Sequence, residues 1–114
     1  MKLPNANQAL IDIAKLRDYS LNPLHPEGKH KARVFAASLG FTAADATRLR
    51  DLALAAVLTH DASSGHTDKH GDRYTVDFET QGLRDMVTIR TAWIIERGGT
   101  VPRLVSCYVK RKSL

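Results

Sequence analysis

The hydrophobic pattern of this chain changes period once. As far as His60 the apolar residues recur at helical spacing, and from Tyr74 onward they alternate with polar ones. A chain written this way forms its helices first and its strands second. The helices must then bury their apolar stripes against one face of the sheet. The expected fold is α+β, with about three N-terminal helices packed on one face of a C-terminal three- to four-stranded antiparallel sheet. A length of 114 residues supports one hydrophobic core, so residues 1–114 read as a single domain.

Local signals place the elements. Asp12 can cap a short helix over Ala14 to Tyr19, with Leu16 and Tyr19 facing inward, and Asn22-Pro23 and His25-Pro26 stop it. A second helix is expected from Lys29 to Leu39, with Ala32, Phe35, Ala36 and Leu39 as its stripe and Gly40 as its C-cap. Thr42 and Asp45 have the spacing of a capping box. The helix they start carries Leu49, Leu52, Ala53, Ala56 and Val57, widened by Leu54 and Leu58, and ends near His60. Asp61 to Asp72 reads as a polar loop. Strands follow at Tyr74–Glu79, Val87–Ile95 and Arg103–Val109, with turns at Gln81-Gly82 and Gly98-Gly99. Lys110-Arg111-Lys112 reads as a solvated tail.

Charge narrows the function classes. Seventeen Lys+Arg against 12 Asp+Glu give a formal charge of +5, which favours a polyanionic partner, either nucleic acid or an acidic protein. A single cysteine, Cys107, excludes an intrachain disulfide and fits a reducing compartment. No apolar run reaches membrane-spanning length and no signal peptide is visible, so the expected location is cytoplasmic, or that of a delivered effector domain. The sequence contains no Walker loop, dinucleotide fingerprint or GxSxG elbow. His60, Asp61, His66, Asp68, His70 and Asp72 cluster in the polar loop, but without cysteine or helical spacing they read as solvated residues. No metal and no cofactor is expected. Cys107 alternates with valines and reads as a small buried hydrophobe.

The basic stretch Lys29-His30-Lys31-Ala32-Arg33 follows Gly28 and opens a helix. Cations at a helix N-terminus oppose the helix dipole, so their concentration there points to a phosphate-binding corner. On the helical wheel Lys31 flanks the buried stripe and can line a cleft, whereas His30 lies nearer the far side.

Several segments carry a resemblance. Leu3-Pro4-Asn5, Ile11-Asp12, Lys15-Leu16, Tyr19 and Leu21-Asn22-Pro23 precede Gly28-Lys29-His30-Lys31-Ala32-Arg33-Val34-Phe35. Arg90-Thr91-Ala92-Trp93-Ile94 and Pro102-Arg103-Leu104-Val105-Ser106-Cys107-Tyr108 close the chain. The whole resembles a small bacterial domain-of-unknown-function family, similar in layout to the BECR ribonuclease toxins named for barnase, EndoU, colicin nucleases and RelE. The resemblance implies a metal-independent endoribonuclease, often a toxin held by a small cognate protein. It places the early basic position on Lys31, with His30 beside it. The strand positions fall on Thr91 next to Trp93 and on Ser106 with Tyr108. No late-strand histidine or glutamate matches the acid/base pair of barnase.

Cleaving RNA without metal takes a base for the 2′-hydroxyl, cations for the pentavalent phosphorane and an acid for the leaving oxygen. The candidate catalytic set is His30 as base, Lys31 and Arg90 as cations, and Thr91, Ser106 and Tyr108 as polar orienting groups. Trp93 or Tyr108 can stack a base. Strand parity sets Arg90, Ser106 and Tyr108 on an open sheet face and turns Thr91 and Trp93 inward. Arg90 can equally be a cross-strand partner of Asp77 or Glu79. The alternative function is a non-catalytic module whose basic face binds RNA or an acidic cognate protein of the antitoxin or immunity type.

Overall fold

The computed structural model describes residues 1–110. Of the basic run expected to form a tail, Arg111 and Lys112 lie outside the described residues. Helix α1 spans Ile13–Lys15 and continues as one π-helical turn over Leu16–Ser20. Helix α2 spans Lys29–Leu39, and α3 spans Ala46–Thr59 after a 3-10 turn at Ala43–Asp45. Strands β1 (Ala62–Asp68), β2 (Gly71–Gln81), β3 (Met86–Glu96) and β4 (Arg103–Val109) form one antiparallel sheet in the order β1-β2-β3-β4. This is the α+β arrangement that the change of period requires. Among the described residues no helix is long and apolar enough to cross a membrane.

The caps form where the sequence placed them. Asp12 accepts from the Ala14 N–H at 3.0 Å. Thr42 and Asp45 close a reciprocal capping box, and Gly40 ends α2 in the left-handed region at φ 73°. The α2 C-terminus has a further partner. The β2–β3 turn docks on it, and the Leu83 N–H donates to the Ser38 carbonyl at 2.8 Å, satisfying a last-turn oxygen.

Three expectations are corrected. The segment Asp61 to Asp72, read as a loop, forms β1 and the hairpin into β2. Ser63 to Thr67 are exposed on both faces at the sheet edge, so no alternation marks the strand. Ala36 and Leu58 are exposed instead of buried. Finally, β4 is bulged. Ala92 pairs with Ser106 and Trp93 with Leu104, so Val105 is left over and turns outward. The bulge lets both Leu104 and Cys107 reach the core.

One face of the sheet carries Val76, Phe78, Ile89, Trp93, Leu104 and Cys107, all buried under Phe35, Leu49 and Val57 of the helices. A polar relay runs through this apolar layer. Trp93 Nε1–H donates to Thr91 Oγ1 at 2.8 Å, and that hydroxyl donates to the Val76 carbonyl at 2.8 Å. Both side chains are essentially inaccessible, so each polar atom needs its partner. Thr91, a candidate for the site, is thereby committed to the core and cannot touch a ligand. Burial pushes the Cys107 thiol up to about 12, which leaves it a hydrophobe.

Thr91→Val keeps the shape but strands the indole N–H, and is expected to cost about 1–3 kcal/mol in urea denaturation. Thr91→Ser, which keeps the hydroxyl, should lose only about 1 kcal/mol for the missing methyl. Equal stability of wild type and Thr91→Val would refute the relay.

Candidate functional site

The β4 edge is closed from the N-terminal side. Leu10 bridges Arg103 in parallel, donating to the Pro102 carbonyl and accepting from the Leu104 N–H. The π-helical turn and the start of α2 follow along the same edge. Their meeting point holds the site.

The Lys31 ammonium lies 4.8 Å from the Tyr19 ring centroid and 5.6 Å from that of Tyr108. Both are cation–π distances. Among the described residues no carboxylate stands at ion-pair distance from Lys31. Its positive charge is therefore held by two aromatic faces and remains available to an anion. Lys31, His30 and Tyr108 line one cavity of about 220 Å³, with Val34 and Val109 as its apolar wall. Lys31 is half-buried and His30 exposed, which is the order given by the helical wheel.

On the open sheet face Tyr108 pairs across the strands with Arg90, and Arg90 with Asp77. The guanidinium grips the carboxylate through two bonds, Nε–Oδ1 at 2.8 Å and Nη2–Oδ2 at 2.9 Å. The Asp77 hydrogen bonds raise the Arg90 pKa further above its ordinary value against the opposing effect of burial, and Tyr108 adds to the rise. Arg90 in turn lowers Asp77, with Lys110, 3.5 Å away, as a smaller contributor. Ser106 lies one row along, opposite Ala92, and is half-buried. The structure thus gathers His30, Lys31 and Tyr108, sets Arg90 beside Tyr108 and Ser106 nearby, and withholds Thr91. Trp93 is buried and cannot stack a base.

Two residues whose packing role the sequence did not reveal, His25 and Gly28, complete the corner. His25 meets the Tyr19 ring edge-on at 4.6 Å. Its Nδ1 accepts from the Glu27 and Gly28 N–H groups, each at 3.0 Å, which sets Nδ1 as an acceptor and leaves the proton on Nε2. Gly28 packs so closely that a Cβ there would stand 2.0 Å from the Tyr19 carbonyl oxygen. The loop His25–Gly28 therefore clasps Tyr19, and Tyr19 carries Lys31. The available signal was a histidine and a glycine flanking a proline turn, which says nothing about the tyrosine six residues upstream. The loop histidines lie elsewhere: His66 pairs with Asp68 at 3.1 Å, and His70 sits in the β1–β2 turn.

The match to known sequences covers this whole arrangement. A family model described as a domain of unknown function (DUF6883) fits residues 2–111. The chain belongs to that family. No curated protein and no solved structure matches it. In this family member the helical corner and the open sheet face both fall inside the matched span.

Two outcomes are expected. His25→Ala removes the acceptor of two backbone N–H groups and should cost about 1–2 kcal/mol in thermal or urea unfolding, while His25→Asn, whose side-chain oxygen can accept in its place, should recover part of it. The acid limb should report Asp77. Its carboxyl titrates lower in the folded than in the unfolded state, so its contribution is complete above the ordinary carboxyl pKa of about 3.9 and is lost as pH falls through the depressed value. Asp77→Asn should flatten that part of the melting-temperature profile below pH ~4. An unchanged profile would disprove it.

Proposed function

We propose that this domain is a metal-independent endoribonuclease of toxin type, cleaving RNA through a 2′,3′-cyclic phosphate. The observation that carries the reading is the Lys31 ammonium, held between Tyr19 and Tyr108, without a carboxylate partner among the described residues, in a cavity shared with His30. The layout resemblance to BECR ribonucleases supports the same assignment.

In this reading a phosphodiester sits against Lys31, with Arg90 and Tyr108 beyond it. His30 takes the proton of the 2′-hydroxyl, and the 2′-oxygen bonds to phosphorus. Lys31 stabilises the charge of the phosphorane. The bond from phosphorus to the 5′-oxygen breaks, that oxygen takes a proton from a water held at Ser106 and Tyr108, and the resulting hydroxide recovers the proton from His30, which returns both groups to their starting states. The products are a 2′,3′-cyclic phosphate and a 5′-hydroxyl.

One observation favours a second reading, a module that binds RNA or an acidic cognate protein without cleaving. Arg90 is already gripped by Asp77, which leaves less of its charge for a developing phosphorane than for a static contact.

Incubating the protein with total RNA in EDTA decides between them. Cleavage should fall about 100-fold in Lys31→Ala and more modestly in Tyr108→Phe, with cyclic-phosphate ends on the products. RNA that is retained by the wild type but never cut, and released by Lys31→Ala, would establish the binding module.

A further inference from the structure

A larger cavity, about 520 Å³, opens at the other end of the exposed sheet face. Its lining includes Lys15, Arg73 and Arg103 against one carboxylate, Glu96, with Ile94 as the floor. Arg73 and Arg103 flank Ile94 as its cross-strand neighbours on β2 and β4, so the two guanidinium groups stand on either side of one buried residue. Arg103 pairs with Glu96. Arg73 is less completely matched. Its nearest acid is Asp68 at 3.5 Å, and its buried Nε–H has no hydrogen-bond partner. Asp68 is shared with His66 and also accepts from the His70 N–H. Lys15 has no carboxylate at ion-pair distance among the described residues.

The ground between the two cationic ends is small and polar. Thr75, Ala92 and Ser106 form one row across β2, β3 and β4. The row of Asp77, Arg90 and Tyr108 lies on one side of it and the row of Arg73, Ile94 and Arg103 on the other. Arg90 and Ile94 are four positions apart on β3, about 13 Å at strand rise. The small side chains of Thr75, Ala92 and Ser106 therefore lie between the two basic rows, a span that the backbone of one extended nucleic-acid strand can cross.

We propose that the Lys15–Arg73–Arg103 cavity is a second phosphate site, and that its phosphate belongs to the same single RNA strand that meets Lys31 and Arg90. The phosphate supplies a partner charge for Lys15 and further acceptors for Arg73 beside its Asp68 contact, and the Thr75–Ala92–Ser106 row lets the sugar-phosphate backbone pass. The RNA source rests on the ribonuclease or RNA-binding reading above. The anion chemistry of the cavity does not.

A short fluorescein-labelled 2′-deoxyoligonucleotide, which has no 2′-hydroxyl to react, separates these possibilities on the full chain. Binding is read by anisotropy across a salt series, with inorganic phosphate titrated in parallel and followed by backbone amide shifts. The variants are Arg73→Gln/Arg103→Gln and Lys31→Ala, each checked for wild-type melting. The proposal expects amide shifts at Ile94 and Ser106 with the oligonucleotide, about tenfold weaker binding by the double variant, and a salt slope shallower by about 1.4 for two lost contacts. Equal binding by wild type and the double variant, with Lys31→Ala weakened, would overturn the second site and leave the Lys31 reading intact. Shifts with inorganic phosphate that the oligonucleotide cannot reproduce would reassign the cavity to a free phosphate and overturn the RNA source. Shifts with neither probe would overturn the site altogether.

Discussion

The relay from the Trp93 indole through the Thr91 hydroxyl to the Val76 carbonyl fixes which way the sheet faces. Two side chains of β3 are tied by it to the backbone of β2 in the middle of the apolar layer. A slip of one residue would turn every β3 side chain over and leave the indole N–H and the Val76 oxygen without these partners. Because Thr91 and Trp93 point inward, Arg90, Ala92 and Ile94 must point outward. The polar face on which the candidate chemistry depends is therefore set by a contact on the side that no ligand sees.

The count of seventeen Lys and Arg overstates the cations that stand open to a partner. Arg90 is closed by Asp77, Arg103 by Glu96 and Arg17 by Asp18. The cations left open at the site are lysines, above all Lys31, whose neighbours are aromatic faces. A ring quadrupole steadies an ammonium without neutralising it, whereas a carboxylate does both. At the Lys31 corner the Arg90 guanidinium is thus held in a pair, and the Lys31 ammonium is the point charge left to meet an anion.

Much of this was legible in the residues. The change of period gave the order of the layers, Asp12, Thr42, Asp45 and Gly40 marked helix ends, and alternation assigned Arg90 and Tyr108 to one face and Trp93 to the other. The helical wheel separated Lys31 from His30. What stayed hidden has physical causes. Strand β1 is wet on both faces, so its sequence carries no period to read. The Val105 bulge is a property of backbone pairing that side-chain alternation cannot report. The clasp of His25 and Gly28 on Tyr19 forms across a proline turn, through a lone pair and a missing Cβ. Family membership follows from a match along nearly the whole chain, whereas the ribonuclease reading draws on a handful of polar positions.

The bridge between Leu10 and Arg103 has a consequence in time. It joins the first tenth of the chain to its final strand, so the sheet edge cannot close until almost all of the polypeptide is available. Contacts so distant in sequence slow folding, because the loop between them must be closed first. The helical corner can form early, but Tyr108 arrives last. During synthesis on a ribosome, an incomplete chain would carry the Lys29–Arg33 cations without the Tyr108 ring that Lys31 meets in the folded domain. The corner around Lys31 would thus be complete only once β4 has emerged and joined the sheet.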